Sequence, residues 1–204
     1  MHPYATDSSE RVTIPVIVIA VAIGASFGVA KLVTASGLQD KLWWLDVPAV
    51  WGFYVLFLKG FDRWVWTWPV LRMIGLVRVP DLNGTWTGHG VSLFEDGQGK
   101  NTRFDVQVRI AQRWTQCLIQ LETAHSQSES VIGGITVGEG QRPTLSYEYR
   151  NEPRALASQG MQAHRGAARL EMHDDGHLEG EYYSGRGRQG YGTLHLRRAK
   201  GRAC

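Results

Sequence analysis

Tyr149 and Asn151 alternate along one run of the chain, and Tyr182, Ser184 and Arg186 along another. In an extended strand, alternate residues share a face, so each set presents its side chains together. The combined chemistry is two phenol rings, an amide, a hydroxyl and a guanidinium. These groups bind rather than cleave: rings stack on planar bases, an amide reads a base edge, and a guanidinium grips phosphate with a planar fork. Trp86 stands in line with Gly88 and Gly90 in an earlier run.

Catalytic constellations are not recognisable. No nucleophile-elbow pattern surrounds a serine, and no glycine-rich phosphate loop opens a helix. The chain therefore reads as a non-enzyme that needs no cofactor. His173-Asp174-Asp175-Gly176-His177 has the residue types of a metal cluster, yet Asp-Gly between alternating runs is a strong hairpin signal, so the stretch is read as a turn without metal. Cys117 and Cys204 fit neither a zinc spacing nor a disulfide framework. A net charge of +3 over 204 residues is too mild for a protein that coats DNA or RNA polymers.

The elements that hold these groups follow from periodicity. Residues 81–204 read as a ligand-binding domain of eight strands, near 84–94, 102–113, 115–124, 127–137, 142–151, 161–173, 177–186 and 189–198. Turn chemistry such as Asp174-Asp175-Gly176 separates them, and eight strands in chain order predict an all-β up-and-down barrel. Such a barrel is just wide enough to be filled by side chains or to hold one small ligand. Inward glycines, Gly88, Gly90, Gly166, Gly190 and Gly192, favour a cavity over a filled core.

Residues 1–80 read as a transmembrane hairpin with a juxtamembrane segment. Val12–Ala30 is an uncharged stretch of 19 residues, roughly 28 Å as a helix and close to the thickness of a bilayer core. Gly24 and Gly28 form a small-residue face suited to helix packing. A second apolar segment, Leu42–Leu58, carries Asp46 near its start. Lys59, Arg63, Arg72 and Arg78 follow it, and basic flanks stay on the cytoplasmic side, which places both termini and the barrel there. Trp64, Trp66 and Trp68 among those arginines suit the headgroup layer.

The order of parts resembles a known family. A helical hairpin is followed by Leu82-Asn83-Gly84-Thr85-Trp86, Tyr149-Arg150-Asn151-Glu152-Pro153, then Leu178-Glu179-Gly180-Glu181-Tyr182 with Arg186 and a glycine-rich closing strand. This resembles the two-transmembrane β-barrel effectors of bacterial CBASS anti-phage systems. The resemblance implies a barrel that binds a cyclic nucleotide, most simply a cyclic dinucleotide, made by a partner CD-NTase. It further implies self-association on binding and disruption of the inner membrane, with the lipid bilayer as second partner. The family's pocket is carried onto Tyr149, Asn151 and Pro153, and extended to Trp86, Tyr182 and Arg186. The alternative is a membrane-tethered, lipocalin-like barrel carrying an apolar ligand, which would require an apolar cavity.

Overall fold

The structure is a computed structural model that describes residues 1–37, 46–93, 102–154, 162–185 and 190–199, with backbone alone at 46–49. The chain divides into two compact units: Met1–Ser8 together with Val79–Cys204, and Ser9–Arg78.

The first unit is a closed barrel of nine strands, not eight. They are β1 (His2–Thr6), β2 (Gly84–Ser92), β3 (Thr102–Gln112), β4 (Gln116–Glu122), β5 (Ser126–Thr136), β6 (Thr144–Pro153), β7 (His164–Met172), β8 (Leu178–Ser184) and β9 (Tyr191–Arg198). Strands β2 to β9 pair with their sequence neighbours, and β2 pairs with β9, as an up-and-down order requires. The unexpected strand is β1. Strands β4 and β5 pair directly over Gln120–Glu122 and Gln127–Glu129, then diverge near a register shift between Ser130 and Ile132. β1 fills the gap, antiparallel to β4 through His2 and Pro3 and parallel to β5 through Tyr4, Ala5 and Thr6. His2 Nε2 lies 2.7 Å from Ser130 Oγ, and Asp7 Oδ1 accepts the Val137 N–H at 2.7 Å. Five residues that include a proline carry no alternation of their own, so this strand exists only through its partners.

One end of the barrel is filled. Trp86, Leu170, Leu178 and Leu196 are among its fully buried side chains. Val79–Leu82 enters beneath them and is tied down by Gln112, whose Oε1 accepts the Leu82 N–H at 2.8 Å and whose Nε2 donates to Pro80 O at 3.1 Å. Gly84 has φ of +127°, a conformation that favours glycine, and it turns the chain from this plug into β2. Asp7 and Leu82 both belong to this closed end, through Val137 and Gln112.

The second unit contains α1 (Glu10–Ala35), α2 (Asp46–Arg63), a 3-10 turn (Val65–Thr67) and α3 (Pro69–Met73). α1 buries Ile14, Val18, Ala22 and Ser26, one face at a spacing of four, and packs against α2. Away from that face α1 exposes many apolar side chains, including Val12, Val16, Phe27 and Leu32. Among the described residues, α1 is the one helix long and apolar enough to cross a membrane. The expected pair of spanning helices is thus corrected to one that qualifies on length and composition. The reason is charge: Asp46, Lys59, Asp62 and Arg63 fall within the 18 residues of α2. Residues 42–45 of the expected second span lie outside the described residues.

Candidate functional site

A cavity of about 910 Å³ opens at the other end of the barrel, where β2, β6 and β8 finish and β3, β7 and β9 begin. That volume lies within the roughly 300–1,000 Å³ of small-ligand sites. Among the described residues, the phenyl and phenol rings of Phe104, Tyr147, Tyr149 and Tyr182 line it.

The rings leave the lumen open because glycines let them lie along the wall. Phe104 faces Gly90 across the β2–β3 ladder, and a Cβ built on Gly90 would fall within 2.7 Å of Phe104 Cε2. Tyr182 covers Gly192 and meets Phe104 edge to face, with centroids 6.2 Å apart. Tyr149 covers its partner Gly166, and its hydroxyl donates to Tyr183 O at 3.2 Å, which commits the O–H to the wall and leaves the ring available. Inward glycine does accompany the cavity, but the space beside these three glycines is occupied. Flattened aromatic walls, not missing side chains, keep the lumen clear.

Polar groups form a row across three strands. Ser128 pairs with Asn151 and Asn151 with His164, so a hydroxyl, an amide and an imidazole stand side by side at the cavity. Ser126, Ser128 and Asn151 are buried, and Ser126 Oγ lies 3.2 Å from Thr123 Oγ1. Burial, with Tyr149 adding to it, holds the Tyr147 phenol far above its ordinary pKa. It stays neutral and adds no negative charge. Arg103 and Asp105 flank the mouth.

Of the residues selected on sequence, Tyr149, Asn151 and Tyr182 come together here, as does Ser184. Trp86 does not: it is buried in the closed end, where Nε1–H donates to Leu82 O at 2.9 Å and the Arg198 guanidinium lies 4.9 Å above its ring. Pro153 ends β6 opposite Ser126 and is not among the lining residues. Arg186 lies outside the described residues. Phe104, Tyr147, Ser126, Ser128 and His164 were not selected. The alternation Ser126-x-Ser128-x-Ser130 was a readable signal for the serines, and Phe104 belongs to the inward face shared by Val106 and Val108.

The exposed rim of the wall carries its own charge pattern. Asp175 accepts from His177, and that hydrogen bond is the main cause that holds its carboxyl below the ordinary aspartate range. His89 is lowered, first by desolvation and then by the Arg103 and His195 charges. Neither group reaches the cavity.

Residues 77–198 match the family described as Cap15, cyclic dinucleotide receptor domain. The chain belongs to the Cap15 family. A relative from Yersinia aleksiciae, CD-NTase-associated protein 15, is 32% identical over 148 residues, which cover 72% of this chain and 68% of the relative. The Cap15 domain so matched runs from the closed-end plug to the end of β9, so it encloses every residue of the cavity. It begins after α1 and leaves β1 outside its limits, although β1 completes the wall.

Proposed function

We propose that this chain is a CBASS effector whose barrel cavity binds a cyclic dinucleotide supplied by a CD-NTase. The observation that carries the reading is the pairing of flat aromatic walls with a buried Ser128–Asn151–His164 row, inside a domain of a cyclic dinucleotide receptor family. Rings take the bases, and the amide and hydroxyls satisfy polar edges that an apolar ligand would leave unpaired. Those buried polar groups disfavour the lipocalin-like alternative.

Binding then promotes self-association, and the helical unit disrupts the inner membrane. A ligand that prefers the assembled state shifts the population towards it. Support comes from α1, where a Cβ built on Gly24 or Gly28 meets nothing within 4 Å, so both glycines are available to a helix from another copy. The topology supports a return across the bilayer. β1 precedes α1 and β2 follows the helical unit, yet both strands belong to one barrel. Strands of one barrel occupy one side of a membrane, so the chain between them crosses an even number of times. That favours a return through the apolar stretch of α2 between Asp46 and Lys59, which does not qualify as a span by itself but whose two charged ends can reach the interfaces. The cytoplasmic side is the one where a nucleotide signal is made.

The direct test is binding of a labelled cyclic dinucleotide panel to the full chain in detergent. At least one member should bind at micromolar concentration or tighter. If none does, the receptor reading is wrong.

A further inference from the structure

The β7–β8 hairpin brings the sequence His173-Asp174-Asp175-Gly176-His177 to the closed end of the barrel, because the opposite ends of the same strands, His164 and Ser184, line the cavity. The backbone of this stretch is the turn its Asp-Gly pair predicts: His173 N–H donates to His177 O, and Gly176 N–H to His173 O, both at 2.9 Å. The turn does not account for its side chains. His177 Nε2 lies 3.4 Å from Glu179 Oε2, and His173 Nε2 lies 3.9 Å from the same oxygen. One ligand atom from each of the three falls within 4.8 Å of the others. In tetrahedral coordination at zinc distances, neighbouring nitrogen and oxygen ligands sit about 3.3 Å apart.

The surrounding groups favour a cation at that point. Asp175 takes the His177 Nδ1–H, which leaves the Nε2 lone pair directed at a carboxylate oxygen. Two acceptors at 3.4 Å repel unless a proton or a metal ion stands between them. Glu179 is held in turn by His195, its partner in the β8–β9 ladder, with Nδ1 3.4 Å from Oε1. His195 stacks on His89, so four of the seven histidines in the chain gather on this outer face. Arg142 Nη1 donates to His173 Nδ1 at 3.2 Å, and the two imidazoles of His173 and His177 stack with centroids 4.2 Å apart, so ligation requires His173 to turn its ring and release the Nε2 proton.

We propose that His173, His177 and Glu179 form a binding site for a first-row divalent cation of the zinc class, oriented by Asp175 and His195. Two imidazoles and one carboxylate suit Zn²⁺ over Mg²⁺ or Ca²⁺, and they leave the fourth position to water. The ion clamps the β7–β8 hairpin at the end of the barrel opposite the cavity.

The test is Zn²⁺ competition against a chromophoric chelator, using the untagged full chain in detergent, with Co²⁺ absorption as a readout of coordination geometry. One saturable site with tetrahedral Co²⁺ bands is expected. His177→Ala and Glu179→Gln should each weaken it at least about 100-fold, and Asp175→Asn by about 10-fold, as expected for an orienting partner. His173→Gln gives a second variant in case one of the others fails to fold, with far-UV circular dichroism as the check. No saturable uptake, or uptake unchanged in His177→Ala, overturns the proposal and assigns the cluster to protons alone. Cyclic dinucleotide affinity is measured on the same samples, so failure here is distinguishable from failure of the receptor reading.

Discussion

Replacing Gly90 by alanine adds one methyl group directly beneath the Phe104 ring of the cavity wall. The new Cβ lands on Phe104 Cζ, 2.7 Å from Cε2 and 3.0 Å from Cε1, whereas carbon atoms prefer about 3.5–4.0 Å. Its three nearest neighbours all belong to that one side chain, so the ring moves and the strand does not. Behind the ring is the sheet, and the open direction is the lumen. Overpacking of this kind costs about 1–3 kcal/mol, or a fall in Tm on the order of 5–10 °C for a domain of this size. A ring tilted into the cavity also removes a stacking surface worth about 1–3 kcal/mol per base, so cyclic dinucleotide affinity should drop roughly tenfold or more. Thermal unfolding and fluorescence-polarisation binding on the full chain read the two effects separately. Gly90→Ala combined with Phe104→Leu relieves the collision, and the double variant should be more stable than the sum of the two changes by about 1 kcal/mol. A Gly90→Ala protein that keeps its affinity within twofold would refute the idea that flattened rings keep the lumen open.

Asn151→Ala and Ser128→Ala should each weaken cyclic dinucleotide binding by about 1–3 kcal/mol while leaving the circular dichroism spectrum unchanged; unchanged affinity in both moves the site elsewhere. Tyr4, buried in the barrel core, should cost about 3 kcal/mol on change to alanine, and deletion of residues 2–6 should cost more, measured by chemical unfolding. A deletion as stable as the parent would show that β1 is dispensable. Burial pushes the Cys117 thiol up to about 11 from an ordinary 9.0. The folded state therefore holds that proton where the unfolded state releases it. The associated stability is intact below pH 9 and is lost as pH rises towards 11, and Cys117→Ala should flatten that part of the Tm profile.

Strands β2 to β9 were legible because each alternates and ends in turn chemistry, and their observed limits fall within a few residues of the expected ones. β1 was hidden, since pairing with residues more than a hundred positions away leaves no local mark. The same distinction runs through the site. Tyr149, Asn151 and Tyr182 share faces that alternation reveals, so they could be grouped from sequence. Trp86 shares its face with Gly88 and Gly90 as well, but alternation cannot say how far along the strand a filled core gives way to a cavity. Trp86 is near the closed end and Gly90 near the open one, and only the plug at Leu82 decides this. The Ser126–Ser130 row was visible as a pattern but polar, and its inward direction follows from closure against β6.

The insertion of β1 between β4 and β5 has a consequence for how the protein is made. His2–Thr6 leaves the ribosome before α1, and its docking groove is complete only after Thr136 has been synthesised. Until β1 docks, the diverged edges of β4 and β5 stay unpaired and can accept a strand from any chain that offers one. Assembly must therefore be fast relative to encounter, or else chains exchange their first strands and emerge as interlinked pairs. Expression level, by setting how often nascent copies meet, becomes a structural variable for this barrel.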